Sequence, residues 1–373
     1  MTAVPKLELR NLRKDFGDFT AVSDIDLSVE AGDTVALLGP SGCGKSTTLN
    51  MIVGLEAPTS GDILIDGKSV VSTPPQERNI GLVFQDYAVF THMSVRKNLA
   101  FGLEIRKTPR QEIDRAVNEV ADLVGLTGVL DHSPRVLGSS QLQRIGVART
   151  LILKPSLLLL DEPLSNLEAE LRTTMRQQLR QLQLEYGQTL IYVTHDQIEA
   201  LSLANKIAVM SDGKIRQFDS ADGAYNQPAH TFVASFLGSP PMNLLEGTVE
   251  RNNHIAVLRN EAATIKLPQE SLPQSTEEGR PLVLGIRPET FQIVAKDAAM
   301  LQAEVTLVEP MGPDKIVTLL VGKWELKALF QYDVKMNEGD VLPLSAKSSR
   351  ICLFDARSGV RLNPDETRVR TCI

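Results

Sequence analysis

Short apolar segments alternate with helix-like segments along residues 1–236 of the chain. The strand-like segments are Thr34–Leu38, Ile63–Asp66, Ile80–Phe84, Leu157–Leu160, Thr189–Val193, Ile207–Met210 and Lys214–Phe218. Leu157–Leu160 is fully apolar, which is typical of a strand buried on both faces. Apolar residues repeat at helical spacing over Arg110–Val124, with Thr108 as the predicted cap, and over residues 167–186. Strands that alternate with helices predict a largely parallel α/β sheet.

From residue 243 the pattern changes to short strand-like runs separated by Gly, Pro, Asn and Asp. These runs are Ile255–Leu258, Leu282–Ile286, Val305–Val308, Ile316–Val321, Glu325–Phe330 and Val341–Ser345. Their spacing predicts one or more small β-barrels. The change falls near residues 238–241, so we predict a first domain over residues 1–236 and a second over residues 237–373.

Composition narrows the functional classes. The chain has 39 basic and 46 acidic residues and a net charge of −7, which argues against nucleic acid as its main ligand. No apolar run approaches the roughly 18 residues that span a bilayer, and the first residues lack the apolar core of a signal peptide. Cys43, Cys352 and Cys372 form no C-x-x-C pair, which fits a reducing compartment. We therefore expect a chain that neither spans a membrane nor is secreted.

A glycine-rich loop follows the predicted strand Thr34–Leu38 and precedes a predicted helix, Ser46–Val53. It matches the P-loop pattern G-x-x-x-x-G-K-[ST], whose backbone N–H groups and helix N-terminus bind phosphate. In this context we favour that role over an ordinary glycine turn, with Lys45 on the β- and γ-phosphates and Ser46 on Mg²⁺. The loop residues predicted to bind the nucleotide are Gly39, Pro40, Ser41, Gly42, Cys43, Gly44, Lys45, Ser46 and Thr47.

Four polar residues follow predicted strands and complete a candidate hydrolytic site. Taken alone, each is also compatible with a solvated strand end or a structural role. Together with the P-loop, Asp161 is predicted beside the metal and Glu162 as a base acting on the attacking water. His195 can donate a hydrogen bond to the γ-phosphate, and Gln85 can reach metal or water through its amide oxygen.

The order of these motifs resembles the ATPase subunits of ABC transporters over essentially the whole chain. The motifs beyond the P-loop are Val83-Phe-Gln-Asp86, Leu137-Gly-Ser-Ser-Gln141, Leu160-Asp-Glu-Pro163, Ser165-Asn-Leu-Glu168 and Val193-Thr-His-Asp196. Other segments are similar to the maltose-type branch of that family, which imports carbohydrates. They are Phe84–Phe90, His92–Met93, Asn98–Gly102, Phe232–Ser239, Met242–Asn243 and Leu284–Glu289.

The resemblance implies an α/β P-loop NTPase fold, an ABC cassette with a helical subdomain at about residues 86–155, followed by a C-terminal all-β OB-type barrel domain. It implies an ATP hydrolase coupled to transmembrane transport of a sugar, polyol or glycerol derivative, with ATP and Mg²⁺ as cofactors. The implied partners are a second ATPase subunit, two integral-membrane permease subunits and an extracytoplasmic solute-binding protein. The implied location is peripheral, on the cytoplasmic face of a bacterial or archaeal inner membrane.

The resemblance also implies a role for individual residues. Phe16 stands where the family has an aromatic ring that stacks on adenine. The implied catalytic residues are Glu162 as base, His195 on the γ-phosphate, Gln85 and Lys45, and the implied metal ligands are Ser46, Gln85 and Asp161. The loop that follows Gln85 is implied to face the permease.

Two motifs depart from the family pattern. The signature motif, usually L-S-G-G-Q, completes the ATP site of the opposite subunit in a head-to-tail dimer, and here it comprises Gly138, Ser139, Ser140 and Gln141 after Leu137. Gly138 replaces the serine that binds the partner's γ-phosphate, and serines replace the glycines that allow close approach. The D-loop comprises Ser165, Asn166, Leu167 and Glu168, with Glu168 in place of the usual Asp.

These departures leave alternatives open. The chain could be a slow hydrolase, could pair with a second ATPase that supplies the usual signature, or could be kept mainly as a structural or regulatory cassette. A non-transport ABC ATPase is a further alternative, although such proteins lack the C-terminal barrel and often carry a coiled coil or tandem cassettes.

Overall fold

The computed structural model describes residues 4–164, 172–173, 176–177, 180–181, 187–252, 255–261, 263–267 and 277–362. The chain divides into two compact units between Ala221 and Asp222. This division lies before the boundary at 236/237 that the sequence pattern predicts. Most of the helix predicted over residues 167–186 lies outside the described residues, as do the D-loop residues Ser165, Asn166, Leu167 and Glu168.

The first unit contains two sheets. Its strands are β1 Leu7–Phe16, β2 Phe19–Val29, β3 Thr34–Leu38, β4 Ser60–Ile65, β5 Lys68–Ser69, β6 Ile80–Val83, β7 Leu157–Asp161, β8 Leu190–Thr194, β9 Lys206–Ser211 and β10 Lys214–Ser220. One sheet is antiparallel with the order β2-β1-β4-β5. The other has the order β10-β9-β3-β8-β7-β6, with every pair parallel except the β9–β10 hairpin. The predicted largely parallel sheet is therefore confirmed.

The helices of the first unit pack against this parallel sheet or against one another. They are α1 Lys45–Val53, α2 Val95–Ile105, α3 Arg110–Leu123, α4 Ser139–Leu151 and α5 Gln197–Leu203. Helices α2, α3 and α4 share a buried apolar core of their own, to which Leu99, Val117 and Ile145 contribute. The predicted cap of α3 is wrong: Pro109 occupies the N-cap position, and no side chain caps the helix there.

The second unit is built mainly from antiparallel strands around a main apolar core, with a smaller apolar cluster that includes Val283 and Phe354. Two short helices, α6 Ala221–Asn226 and α7 Thr231–Phe236, precede its strands. The strands are β11 Asn243–Asn252, β12 Ile255–Arg259, β13 Thr264–Leu267, β14 Pro281–Ile286, β15 Gln292–Ile293, β16 Leu301–Met311, β17 Asp314–Val321, β18 Trp324–Gln331, β19 Val341–Ser345 and β20 Ile351–Asp355. They form two five-stranded sheets, ordered β13-β12-β11-β14-β20 and β15-β19-β16-β17-β18.

A buried arginine explains why the two short helices belong almost entirely to the second unit. Arg287, only 3% exposed, donates hydrogen bonds to the backbone carbonyls of Tyr225, Ala234 and Leu237. Its guanidinium also lies 4.1 Å from the centroid of the Tyr225 ring. Because these carbonyls belong to α6, α7 and the residue after α7, the helices are tied to the strand unit by hydrogen bonds that the sequence pattern does not reveal.

A search of the described helices for a membrane span finds none that combines the necessary length with the necessary apolarity.

Candidate active site

The parallel sheet brings the candidate site residues to one edge. Strands β3, β8, β7 and β6 are consecutive neighbours, and the carboxyl ends of parallel strands lie on the same side of a sheet. The glycine loop follows β3, and His195 follows β8. Asp161 ends β7, with Glu162 directly after it, and Gln85 follows β6. The sheet order therefore assembles residues that are far apart in sequence.

The glycine loop has the backbone of a phosphate cradle. Gly42 and Gly44 adopt left-handed φ values of 80° and 100°, and helix α1 begins directly after Gly44. A Cβ atom on Gly39 would collide with the carbonyl oxygen of Met210, and one on Gly44 would collide with that of Ala21. Only glycine fits both positions without strain, so the loop can present its N–H groups and the N-terminus of α1 to phosphate.

Lys45 lies inside this loop. Its side chain is largely buried, and its Nζ atom donates to the carbonyl oxygens of Gly39 and Pro40 at 2.8 and 2.9 Å. The Cys43 Sγ atom lies 3.8 Å from Lys45 Nζ. Because burial raises the pKa of the Cys43 thiol, the thiol stays protonated and lines the loop without acting as a nucleophile. The ammonium is thereby held within the loop, where a phosphate chain can replace the carbonyls as its acceptor.

Ser46 and Asp161 supply oxygen atoms suited to a magnesium ion. The Ser46 hydroxyl donates to a carboxylate oxygen of Asp161 at 3.3 Å. Burial raises the pKa of Asp161, and the neighbouring carboxylate of Glu162 adds to this, while the Ser46 hydrogen bond and Lys45 oppose it. A cation beside Asp161 would compensate the cost of its buried charge. Mg²⁺ fits this pair because it prefers hard oxygen ligands and takes much of its coordination from water and substrate phosphates.

Glu162 lies between two polar side chains. Gln85 Nε2 is 3.4 Å from one of its carboxylate oxygens, and His195 Nδ1 is 3.3 Å from the other. The backbone of Glu162 has a left-handed φ of 46°, which is uncommon for a residue with a Cβ and is typical of functional sites. The cluster therefore places a potential proton acceptor between an amide and an imidazole at the sheet edge that carries the glycine loop.

Phe16 lies at the end of the β1–β2 hairpin. It pairs with Phe19 across the turn, and both rings are about half exposed or more, at 48% and 61%. The Lys14 ammonium lies 4.8 Å from the centroid of the Phe16 ring. Strand β2 reaches the glycine loop, because Ala21 closely approaches Gly44. Phe19 is a second candidate for stacking that our sequence analysis missed, although two aromatic residues around one turn were a visible signal.

The signature residues form the start of helix α4. Gly138 is the N-cap residue with an ordinary φ of −75°, and a Cβ there would meet no atom within 4 Å. Ser139 is exposed at the first helical position. Ser140 is buried, and its hydroxyl accepts a hydrogen bond from Arg144 at 3.3 Å. The two serines therefore differ: Ser139 can face a ligand, whereas the Ser140 side chain is engaged within its own helix.

Helix α4 also contacts the candidate catalytic loops, which the sequence pattern did not indicate. Gln143 is fully buried, and its amide donates to the carbonyl oxygen of Pro163, directly after Glu162. Arg149 donates to the carbonyl oxygen of Ala88, in the loop after Gln85. Gln143 and Arg149 are six residues apart and lie on different faces of the helix, so the helical period in the sequence links neither residue to its contact.

Comparison with known proteins agrees with this architecture. Residues 22–165 match the family model described as ABC transporter, and residues 238–291 match the model described as MalK OB fold domain. CbiO1 from Clostridium perfringens, described as part of the ABC transporter complex cbiONQ, is similar in structure with a TM-score of 0.56 and 29% identity. That match covers 58% of this chain and 89% of the CbiO1 chain.

Two named relatives match nearly the whole length. The trehalose/maltose import ATP-binding protein MalK of Thermococcus litoralis is 42% identical over 365 residues, which cover 95% of this chain and 98% of the relative. The sn-glycerol-3-phosphate import ATP-binding protein UgpC of Cupriavidus pinatubonensis is 39% identical, with 96% and 99% covered.

The fold and the site together define an ABC-type P-loop ATPase followed by an OB-fold domain, as the sequence predicted. The chain belongs to the family of ATP-binding subunits of ABC importers, which are ATP hydrolases that power transport.

Proposed function

We propose that this chain hydrolyses ATP to drive an importer for a carbohydrate-like solute. The observation that carries the proposal is the cluster of Gln85, Glu162 and His195 on the sheet edge that holds the glycine loop. The relatives named for trehalose/maltose and glycerol-3-phosphate import support this solute class, and they oppose a non-transport role.

In the proposed reaction the chain binds ATP, orients the attacking water and accepts a proton from that water. The glycine loop and Lys45 hold the triphosphate, and Phe16 stacks on the adenine. The carboxylate of Glu162 accepts the proton of the attacking water, while Gln85 orients that water and His195 donates to the γ-phosphate. Ser46, Gln85 and Asp161 would hold Mg²⁺, which neutralises charge on the phosphate oxygens.

The proposed transport role is tested by uptake in cells that lack this chain. Uptake of labelled sugars, polyols and glycerol derivatives would be compared before and after the chain is restored. We expect one solute of this class to depend on the chain and to be rescued by the native sequence but not by Glu162→Gln. An unchanged uptake of every solute on deletion would contradict the proposal.

We further propose that the chain works on the cytoplasmic face of the membrane with two permease subunits, a solute-binding protein and a second ATPase subunit. A groove of about 490 Å³ supports the permease contact. It lies where β6 meets α2 and α4, and Tyr87 of the loop after Gln85 lines it together with Phe84, Phe101 and Ile105. Phe84 and Ile105 are 44% and 65% exposed, as expected of apolar residues that a partner covers.

A charge in this groove should weaken the permease contact. We expect Ile105→Glu to reduce co-purification of the permease subunits at least about 10-fold, because a buried unpaired carboxylate costs several kcal/mol at an interface. Ile198→Glu is a matched control, since Ile198 is also 65% exposed but lies on α5, outside the groove lining. Equal recovery with both variants would contradict this location.

The altered signature supports a second candidate, a slow subunit or one that pairs with a second ATPase. In a head-to-tail dimer the start of α4 faces the partner's ATP. Gly138 offers no hydroxyl there, and Ser139 is the exposed serine that could replace it. A hydrogen bond to a charged phosphate contributes about 1.5–3 kcal/mol, so loss of its donor would slow turnover substantially.

Restoring the usual motif tests this second candidate. We expect the triple variant Gly138→Ser, Ser139→Gly, Ser140→Gly to raise ATP turnover of the isolated protein about 10-fold, equivalent to about 1.4 kcal/mol. The matched control combines Gly138→Ala with Ser139→Gly and Ser140→Gly. The open space at Gly138 admits the Cβ of either alanine or serine, so the two triple variants differ only in the hydroxyl group. If the native protein alone hydrolysed ATP at the rate usual for this family and the triple variant did not change that rate, this second candidate would be contradicted.

A further inference from the structure

The loop after Gln85 has an unusual backbone. Tyr87 and Ala88 are consecutive residues with left-handed φ values of 59° and 45°, and neither is glycine. Each such residue costs of the order of 1–2 kcal/mol relative to an ordinary conformation. Local hydrogen bonds, from Tyr87 N to Phe84 O at 2.9 Å and from Ala88 N to Asp86 at 3.2 Å, help to close the turn. A double left-handed turn of this kind persists only where surrounding contacts hold it.

Helix α4 supplies those contacts from outside the loop. The Arg149 guanidinium donates to the carbonyl oxygen of Ala88 and lies 4.2 Å from the centroid of the Phe90 ring. Gly146, one turn earlier, lets the helix come so close that a Cβ there would be 3.0 Å from both the Cβ and the carbonyl oxygen of Tyr87. Together, Arg149 and Gly146 fix both left-handed residues against α4.

The chemistry of Arg149 suits this role. Its guanidinium is partly buried, which lowers its pKa, yet an arginine keeps its charge at physiological pH. Within the described part of the chain it forms no ion pair, so its charge is directed at a carbonyl oxygen and an aromatic face. The planar group can satisfy both contacts at once, whereas a lysine ammonium cannot stack in the same way.

We infer that Arg149 is a positioning residue for ATP hydrolysis: by holding the Tyr87–Ala88 turn against α4, it sets the position of Gln85 relative to Glu162. The inference deepens the proposed function, since it rests on the catalytic role of Gln85. Arg149 itself touches neither the glycine loop nor Glu162 through any described hydrogen bond. Its effect should therefore appear in the rate of hydrolysis and not in the affinity for ATP.

Steady-state hydrolysis by the isolated protein, without permeases, tests the inference. We expect Arg149→Lys to lower kcat about 10-fold, corresponding to loss of about 1.4 kcal/mol, with the KM for ATP changed less than about 2-fold. Arg96→Lys is the matched control, because the Arg96 guanidinium donates to Asp131 and Asn118, and none of its described hydrogen bonds reaches a candidate catalytic loop. The use of isolated protein also distinguishes this role from a direct permease contact. If Arg149 acted only by contacting the permease, Arg149→Lys would leave the kcat of the isolated protein unchanged.

A second variant guards against a folding defect. Gly146→Ala removes no charge and favours the helix locally by up to about 1 kcal/mol, but its methyl group pushes on the Tyr87 backbone. We expect it to lower kcat while the unfolding midpoint stays within a few degrees of the native protein. The inference would be overturned if, in both Arg149→Lys and Gly146→Ala, kcat fell only in proportion to the fall in the unfolding midpoint.

A double-mutant cycle with Gln85→Ala shows whether Arg149 acts through Gln85. We expect Arg149→Lys to change kcat less than about 2-fold in the Gln85→Ala background, because coupled residues are non-additive. An undiminished 10-fold loss in that background would overturn the inference, as would a raised KM with kcat intact. If Gln85→Ala is impaired but Arg149→Lys is fully active, the inference about Arg149 is refuted and the proposed role of Gln85 stands. If Gln85→Ala is itself fully active, Gln85 also loses its role in the proposed function.

Discussion

Replacement of Glu162 by glutamine should abolish most ATP hydrolysis while ATP binding persists. Glutamine has the same shape and can still meet Gln85 and His195, which lie 3.4 and 3.3 Å from the carboxylate oxygens. It cannot accept the proton of the attacking water, and general-base catalysis contributes typically 10²–10⁴-fold. We therefore expect Glu162→Gln to lower kcat at least about 100-fold with little change in nucleotide affinity.

Phosphate release in single-turnover experiments measures this loss, and light scattering with ATP present measures association. If two subunits enclose ATP, the variant should accumulate as an ATP-dependent dimer, because hydrolysis no longer separates it. Glu119→Gln controls for net charge, because it removes the same charge from the exposed side of α3, where Glu119 pairs with Arg115. Native rates in Glu162→Gln would remove Glu162 from the role of base.

Replacement of Lys45 should mainly weaken nucleotide binding. The Lys45 ammonium is buried in the glycine loop and donates to two backbone carbonyls. A charge-assisted hydrogen bond to phosphate contributes about 1.5–3 kcal/mol, so we expect Lys45→Ala to reduce ATP affinity about 10- to 100-fold. Hydrolysis at subsaturating ATP should fall at least as much, because the same ammonium meets the charge that develops on the γ-phosphate.

Binding of a fluorescent ATP analogue, measured with AMP as a comparison ligand, checks this expectation. Affinity for AMP should change little, since AMP lacks the β- and γ-phosphates. Lys45→Arg retains the charge but should not restore binding, because a planar guanidinium is larger than the ammonium that the Gly39 and Pro40 carbonyls enclose. Unchanged ATP affinity in Lys45→Ala would show that the loop binds phosphate without this side chain.

The sequence predicted the elements whose signal is local. Strand β3 spans Thr34–Leu38 as predicted, and β19 spans Val341–Ser345 as predicted. Continuous apolar runs mark the central strands of a parallel sheet because both faces are buried. The β1–β2 hairpin was not predicted, since β1 mixes buried and exposed positions irregularly around register shifts that break the two-residue period.

The candidate site was predictable to a similar degree. The residue types at strand ends and the glycine loop predicted a site that combines Gln85, Asp161, Glu162 and His195 with Lys45, because this chemistry requires particular side chains in a particular order. The left-handed conformation of Glu162 and the different environments of Ser139 and Ser140 were not predictable. They depend on neighbours that are remote in sequence or on the packing of a helix.

By itself the sequence determined a P-loop motif, polar residues after predicted strands that predict a nucleotide and metal site, and an acidic chain divided between an α/β cassette and a β domain. Only the tertiary structure decided which loops meet, how Arg287 joins two short helices to the second unit, and how α4 holds the turn after Gln85. The physical reason is the separation in sequence between the interacting residues. Motifs and periodicity record what one segment requires, whereas a hydrogen bond between Arg149 and Ala88 depends on the packing of elements separated by 61 positions.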